Sequence, residues 1–455
     1  MHEHVKSLPE ILGEYARSDT ARFHMPGHKG LGMGGFNAVA PWDVTELPET
    51  DDLAAPEGAL LHTEQAYASA YHAQHSFLLI NGSSTGVAAM LLSLGQHKRV
   101  LLARNCHKSA INGVVLAGHD VDFVYPSSEG MVTAAAIDAA LTQSPADAVL
   151  IVSPDYFGKC ADLASIAQAA HHHGALLFVD AAHGAHFPFA TSLPDFPADD
   201  VDMWCISAHK TLNAFTQSAV LHLGTRCPIT QSRVRSTLRL LQSSSPSYLL
   251  MSSLDWALHS ATGWEAHVSR IKSIRKRIGA LNGVALLDDS IVGCGGVSAI
   301  DPTRLTLLVN GRGMSGKCAH EALYNDGIIA EMADIHSVVL ITTPNDPDEW
   351  YERLLHALMM LPYGTQMLPN IALPPSRTAL MSVRDAALAD AEYIPLERSY
   401  GRIAAAAAGA YPPGIAALIP GEQITQEVIS YLQSQVQADL TLFGISDGCV
   451  CCVKP

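Results

Sequence analysis

From residue 64 onward, two hydrophobic patterns alternate along the chain. Short, nearly continuous apolar runs read as strands buried on both faces: FLLI (77–80), RVLLAR (99–104), VDFVY (121–125), AVLIVS (148–153), ALLFVD (175–180), DMWCIS (202–207) and SAVLHLG (218–224). Segments with helical spacing separate them: EQAYASAYHAQH (64–75), GVAAMLLSLG (86–95), AAAIDAALTQ (134–143) and LASIAQAAHHHG (163–174), the last closed by a glycine. Strands that alternate with helices predict an α/β fold with right-handed crossovers and a mostly parallel sheet covered on both faces.

The pattern changes after a helical stretch at 254–281. RLTLLV (304–309), a helix at 316–327, strands at IIAEMA (328–333) and VVLITT (338–343), and another helix predict a small β-α-β-β-α unit. LPYGTQMLPNIALPP (361–375) reads as a linker, and IAAAAAGAYPPGIAALIP (403–420), broken by Gly and Pro-Pro, as a loop. The expected organisation is an N-terminal segment through residue 63, a large domain over 64–300 and a smaller α+β C-terminal part over 301–455. Neither a repeat nor a low-complexity tract interrupts it.

Composition narrows the function. At 455 residues, 48% hydrophobic and 16% charged, the chain supports one large core and a second, smaller one. A formal charge of −16 weighs against nucleic acid or an anionic membrane as partner, because both require clustered Lys and Arg; it suits a cationic small molecule. The N-terminus has no signal-peptide pattern and no uncharged apolar run reaches the roughly 20 residues a bilayer needs, so a cytoplasmic protein is expected. Nine scattered cysteines, an odd number, fit a reducing compartment. Cys449, Cys451 and Cys452 crowd the tail, but no second Cys or His pair has zinc-site spacing, so no metal is expected.

Chemistry gathers where the apolar runs end. NGSSTG (81–86) lies between a strand and a helix, where free amides suit a phosphate, although such a turn is also an ordinary cap. It is neither a Walker A loop nor a GxGxxG fingerprint. Asp180 closes ALLFVD, either as a cap or as the partner of a protonated ring nitrogen. Lys210 in SAHK is either a surface lysine or, partly desolvated, a Schiff-base nucleophile. His107 in RNCHKS is either a satisfied polar residue or a ring set to stack on an aromatic. Together, a phosphate cup, an acid for a pyridinium and a Schiff-base lysine are what pyridoxal phosphate asks of a protein.

At this point the sequence resembles the bacterial fold-type I, pyridoxal-phosphate-dependent ornithine/lysine/arginine decarboxylases. The likeness runs through FHMPGHKG (23–30), DVTELPETDDL (43–53), NGSSTG, RNCHKS, VSPDYFG, VDAAHGAHF, SAHKTLNAFTQSAVLH, LQSSSPSYLLMSSLD (241–255) and YPPGIAALIPGEQIT (411–425). It implies a fold-type I transferase-like large domain, with Lys210 carrying the cofactor and Asp180 on the pyridine nitrogen. His107 would be the stacking ring and His183 a neighbour of the cofactor. Ser83, Ser84, Thr85, Ser207 and His209 would hold the phosphate. Ser243, in a segment that resembles one reaching into the neighbouring subunit, implies a homodimer with shared sites. Two departures stand out. MPGHKG begins within the first thirty residues, as in short forms without a receiver-like domain, and Ala181 replaces the acid that relatives commonly carry after the aspartate.

The resemblance implies decarboxylation of a basic amino acid, arginine first and lysine or ornithine next, to a polyamine-type product. Lys210 and His209 are the candidates for returning a proton to Cα. Acids that could meet the substrate's distal cation are Glu46, Glu49, Asp51, Asp52, Glu331 and Glu422, although any single one reads more readily as a solvated surface charge. The competing readings are a fold-type I aminotransferase or lyase, for which Arg402 would have to grip the α-carboxylate, and a silent regulator, which the retained Lys210 and Asp180 disfavour.

Overall fold

The structure, a computed structural model, describes residues 6–365, 379–410, 414–437 and 440–455. The apolar runs form β1 (His75–Leu79), β2 (Arg99–Ala103), β3 (Asp120–Val124), β4 (Ala148–Val152), β6 (Leu176–Asp180), β7 (Met203–Ile206) and β8 (Ala219–Leu223), with β5 (Lys159–Ala161) pairing instead with Val297–Ile300. These seven make one sheet in the order β1-β8-β7-β6-β4-β2-β3. All of its strands are parallel except β8, which is antiparallel to both of its neighbours. The central strands are buried almost end to end, as continuous apolar runs require of a sheet covered on both faces.

Ten helices accompany the sheet: α1 (Leu8–Arg17), α2 (Ala59–Ala70), α3 (Gly82–Ser93), α4 (Lys108–Ala117), α5 (Ala134–Gln143), α6 (Leu163–His172), α7 (Ala208–Thr211), α8 (Gln231–Leu241), α9 (Tyr248–His259) and α10 (Trp264–Gly279). Two apolar clusters, one on each face, contain Leu78, Leu101, Val149 and Trp204 on one side and Phe77, Leu102, Leu150 and Cys205 on the other. Alternate residues of the same strands thus serve opposite layers.

Several boundaries differ from the sequence reading, each for a physical reason. α2 starts at Ala59 rather than 64, because the Asp51 carboxylate accepts the amides of Gly58 (2.8 Å) and Leu60 (3.0 Å) from well upstream. The 254–281 stretch is two helices, parted at 260–263, where Gly263 takes φ 82°. Only Met332–Ala333 of 328–333 pairs as strand. α8, absent from the sequence reading, buries only Val234, Thr237 and Leu238, too few apolar positions for a clear helical period.

A four-stranded antiparallel sheet follows, built from Ala285–Leu286, Arg304–Leu308, Met332–Ala333 and Ser337–Ile341 and packed against helices Gly316–Asn325 and Asp348–Met360. The segment at 403–420, read as loop, instead carries strands Ala408–Ala410 and Ala416–Leu418, paired with each other and with the distant Leu442–Phe443. Small alanines suffice there because the partner chain segments lie close, and Ala404, Ala408 and Leu418 join a separate apolar cluster. The cysteine tail is likewise structured: Cys449–Val453 lies between Ala391–Pro395 and Ile445–Ser446, and burial pushes the Cys452 thiol up to about 11. Residues 366–375 of the expected linker, and Tyr411–Pro413 of the YPPGI motif, fall outside the described residues.

Candidate functional site

The carboxyl ends of the parallel strands open onto a cavity of about 500 Å³, beside the point between β2 and β4 where the strand order reverses. Asp180, the last residue of β6, lines it and accepts the Ala182 amide at 3.2 Å. Ala182 and His183 line the same cavity, whereas Ala181 faces a different one on the opposite side of the sheet. The missing acid at 181 therefore leaves the wall of this cavity unchanged.

β7 delivers Ser207, and the short α7 then turns His209 and Lys210 inward. Lys210 Nζ lies 2.9 Å from His183 Nε2, and His183 Nδ1 lies 3.3 Å from Arg304 Nη2. Burial holds the Lys210 amine below its ordinary value, and Arg304 acts in the same direction, while Asp180 and Glu331 oppose it. Burial, Lys210 and Arg304 together put His183 well below the usual imidazole range. His209, whose Nδ1 is 3.0 Å from the Ser218 carbonyl, is also lowered, chiefly by burial.

His107 is at once a cap and a wall. As N-cap of α4 its Nδ1 accepts the Ser109 amide at 3.2 Å, which places the proton of the neutral ring on Nε2 and leaves the ring in the cavity. Burial lowers its pKa, against the pull of Asp180. A bridge from His107 to Ile415 brings the C-terminal part to the cavity edge.

The opposite end is built for an anion. α3 begins at Gly82 (φ 73°), whose amide donates to the Gln217 carbonyl (2.8 Å), its N-cap Asn81 supplies no side-chain cap, and Asn81, Gly82, Ser83 and Ser84 at this helix N-terminus line the cavity. Ser207 Oγ donates to Ser83 Oγ at 2.7 Å. Asn105, also on the wall, has a buried Oδ1 with no partner, an acceptor that calls for a donor and not for the anion. A phosphate cradle, a carboxylate, a flat imidazole and a lysine on one cavity fit pyridoxal phosphate.

Thus Ser83, Ser84, His107, Asp180, His183, Ser207, His209 and Lys210 share the cavity, and two predicted residues do not. Thr85 turns its hydroxyl to the Asn81 carbonyl (3.3 Å), a bond inside the helix. Ser243 is exposed in a separate groove with Asp52 and Arg239. Among the predicted acids only Glu331 lines the cavity, where it accepts the Tyr156 hydroxyl. Glu422 is committed to a buried pair with Arg104 (3.2 Å), Asp51 caps α2, and Glu46 accepts the Thr45 hydroxyl. Sequence reasoning did not single out Asn105, Tyr156, Gln217 or Arg304; Tyr156 and Gln217 sit inside motifs already noted, which was the available signal.

Comparison with known proteins gives a consistent picture. Residues 7–292 match the family "Orn/Lys/Arg decarboxylase, major domain", and residues 359–447 match "Orn/Lys/Arg decarboxylase, C-terminal domain". The chain is similar to the arginine decarboxylase of Bacillus subtilis, with 32% identity covering 98% of this chain and 97% of that one. It is similar also to the arginine decarboxylase of Halalkalibacterium halodurans, at 31% over 95% and 94%. Among solved structures, the lysine decarboxylase LdcF of Francisella novicida superposes with a TM-score of 0.81 over 99% of this chain and 82% of that one, at 18% identity.

Proposed function

The chain belongs to the Orn/Lys/Arg decarboxylase family and is a pyridoxal-phosphate-dependent decarboxylase, and from that premise we propose that its substrate is arginine, with lysine and ornithine as competitors. The observation that carries the reading is a single cavity that joins Lys210, Asp180 and Glu331. Bound there, the cofactor supplies a protonated ring that accepts the electron pair left behind by a departing carboxyl group.

The protein's own residues do the rest. Lys210, its amine on the cavity wall, would hold the cofactor through its aldehyde and would yield that place to the substrate amine. Asp180, buried at the end of β6, keeps the proton on the ring nitrogen, as a nearby carboxylate favours the charged form. His107, on the cavity wall, would pack against the ring. The N-terminal end of α3, with Ser83, Ser84, Ser207 and His209, would hold the phosphate, and that anchor would let geometry select the scissile bond. Lys210 and His209 are the groups placed to return a proton to Cα.

Glu331, exposed at the cavity edge and joined to the Tyr156 hydroxyl, is the acid assigned to the distal cation. The arginine decarboxylases among the relatives favour a guanidinium there. Among the described residues no arginine lines the cavity, and Arg402 is spent on Glu392 (2.7 Å) and the Val453 carbonyl (2.8 Å). Among the described residues of this subunit, nothing supplies the carboxylate clamp of an aminotransferase.

We assign a homodimer with shared sites. Ser243, outside its own subunit's cavity, is the phosphate contact offered to the partner. The exposed apolar stretch with Phe23 (96% exposed), Leu31 (73%) and Phe36 (68%) supplies the kind of surface that a subunit interface covers. The test of substrate is direct: with cofactor added, the purified protein receives arginine, lysine and ornithine in equal amounts, and products are read by mass spectrometry. Agmatine is expected to dominate. Dominant cadaverine or putrescine would overturn the arginine assignment.

A further inference from the structure

Arg304 opens the strand Arg304–Leu308 of the small sheet, is only 1% exposed, and does not line the cavity. Its Nη2 donates to His183 Nδ1 at 3.3 Å, while its Nε and Nη1 have no partner. Such a buried, half-paired guanidinium is costly, and the Asp301 carboxylate is the largest charge that offsets it. Its consequence lies in the tautomer it imposes.

A guanidinium only donates, so His183 Nδ1 must accept. The ring is neutral, because burial and the cations Lys210 and Arg304 hold its pKa well below the usual value. A neutral ring that accepts at Nδ1 carries its proton on Nε2, and Nε2 sits 2.9 Å from Lys210 Nζ. That N–H needs a lone pair in front of it, and an ammonium has none.

We propose that Arg304 is a positioning residue that acts through His183 to hold Lys210 as a free amine, ready to add to the cofactor aldehyde. The proposal rests on the assignment of Lys210 made above. In the addition, the Nζ lone pair bonds to the aldehyde carbon, and both amine protons leave with the aldehyde oxygen as one water; nothing is oxidised or reduced. The groups that face His183 are Lys210, Arg304, His107, His186 and the Tyr156 ring. Those that face Lys210 are Asp180, Arg304, Glu331, Cys205, His183, His107, His209 and the Tyr156 ring, 5.8 Å from Nζ. Asp180 and Glu331 favour the ammonium form, and burial with Arg304 outweighs them.

Two readouts test this without substrate, so a failure of the decarboxylase reading, seen as absent amine and CO₂, remains distinct from a failure here. The first is ¹⁵N NMR of the histidine-labelled, full-length, cofactor-stripped protein, with His183 assigned by its loss in His183→Gln. An Nε2–H ring is expected, and an Nδ1–H ring overturns the proposal. It uses the wild-type fold, so it decides even where a variant at 304 does not fold.

The second is the pH profile of the rate at which stripped protein takes up pyridoxal phosphate, followed by the absorbance of the lysine-bound cofactor. Arg304→Gln should move the midpoint up by about one unit and slow uptake near neutral pH by about tenfold, because removing the cation lets Lys210 keep its proton. Arg304→Lys, again a donor-only cation, should stay close to wild type. An Arg304→Gln profile that superimposes on wild type overturns the proposal.

Discussion

In the proposed function Asp180 and Lys210 divide one task, and each can be removed separately. Asp180→Asn retains a group of the same shape that no longer favours the charged ring, so it should bind cofactor normally and lose turnover by about 100-fold or more. A near-normal kcat would show that Asp180 does not support the ring. Lys210→Ala should fold yet never develop the absorbance of lysine-bound cofactor, and persistence of that band would refute its role. Both residues were legible in the sequence because each ends or follows a continuous apolar run, the position where α/β sites gather. Arg304 was not, because it reads as the polar first residue of an ordinary strand; what matters is a contact to His183 from 121 residues away in sequence. Asn105 lay in plain view beside His107, but only its orphaned buried oxygen marks it out.

At the scale of elements, the placement of α3 decides whether the phosphate end exists. Gly86 lets this helix lie against the sheet: a Cβ there would come within 2.3 Å of Cys205 Sγ and 2.8 Å of Leu79 Cδ1. Gly86→Ala should therefore destabilise the fold by about 1–3 kcal/mol, as overpacking does. Adding Cys205→Ala should recover part of that loss, and strictly additive thermal shifts would contradict the packing argument. The strand and helix periods predicted most of the large sheet, with α5 found at 134–143 as read. What local pattern missed came from distant partners. The Asp51 cap of α2 lies outside any local window, and the strand Ala408–Ala410 pairs on one side with Ala416–Leu418 and on the other with the distant Leu442–Phe443.

For the whole molecule, buried histidines tie stability to pH. Burial lowers His222 to about 3 and His267 to about 4, below the value near 6.5 that each regains on unfolding. The unfolded chain therefore takes up these protons first, so their contribution is complete above about pH 6.5 and lost as pH falls toward 4. The unfolding midpoint should drop across that window, and a flat profile would contradict the burial of these rings. Among the described residues no helix is long and apolar enough to cross a membrane, and no cluster of three His, Cys, Asp or Glu could hold a metal ion. Assembly is tested by mixing Lys210→Ala with Ser243→Ala subunits. If sites are shared, hybrid dimers hold one intact site, and about a quarter of wild-type activity should return on random reassortment; no gain would separate Ser243 from the partner's cavity.

The most direct measurement follows the carboxyl carbon itself. With arginine labelled at that carbon and a keto acid present as a possible amino acceptor, a decarboxylase releases one labelled CO₂ for each agmatine formed and leaves the keto acid unchanged. Transfer of the amino group to the keto acid, with the label retained in the product, would contradict decarboxylation as the reaction of this cavity.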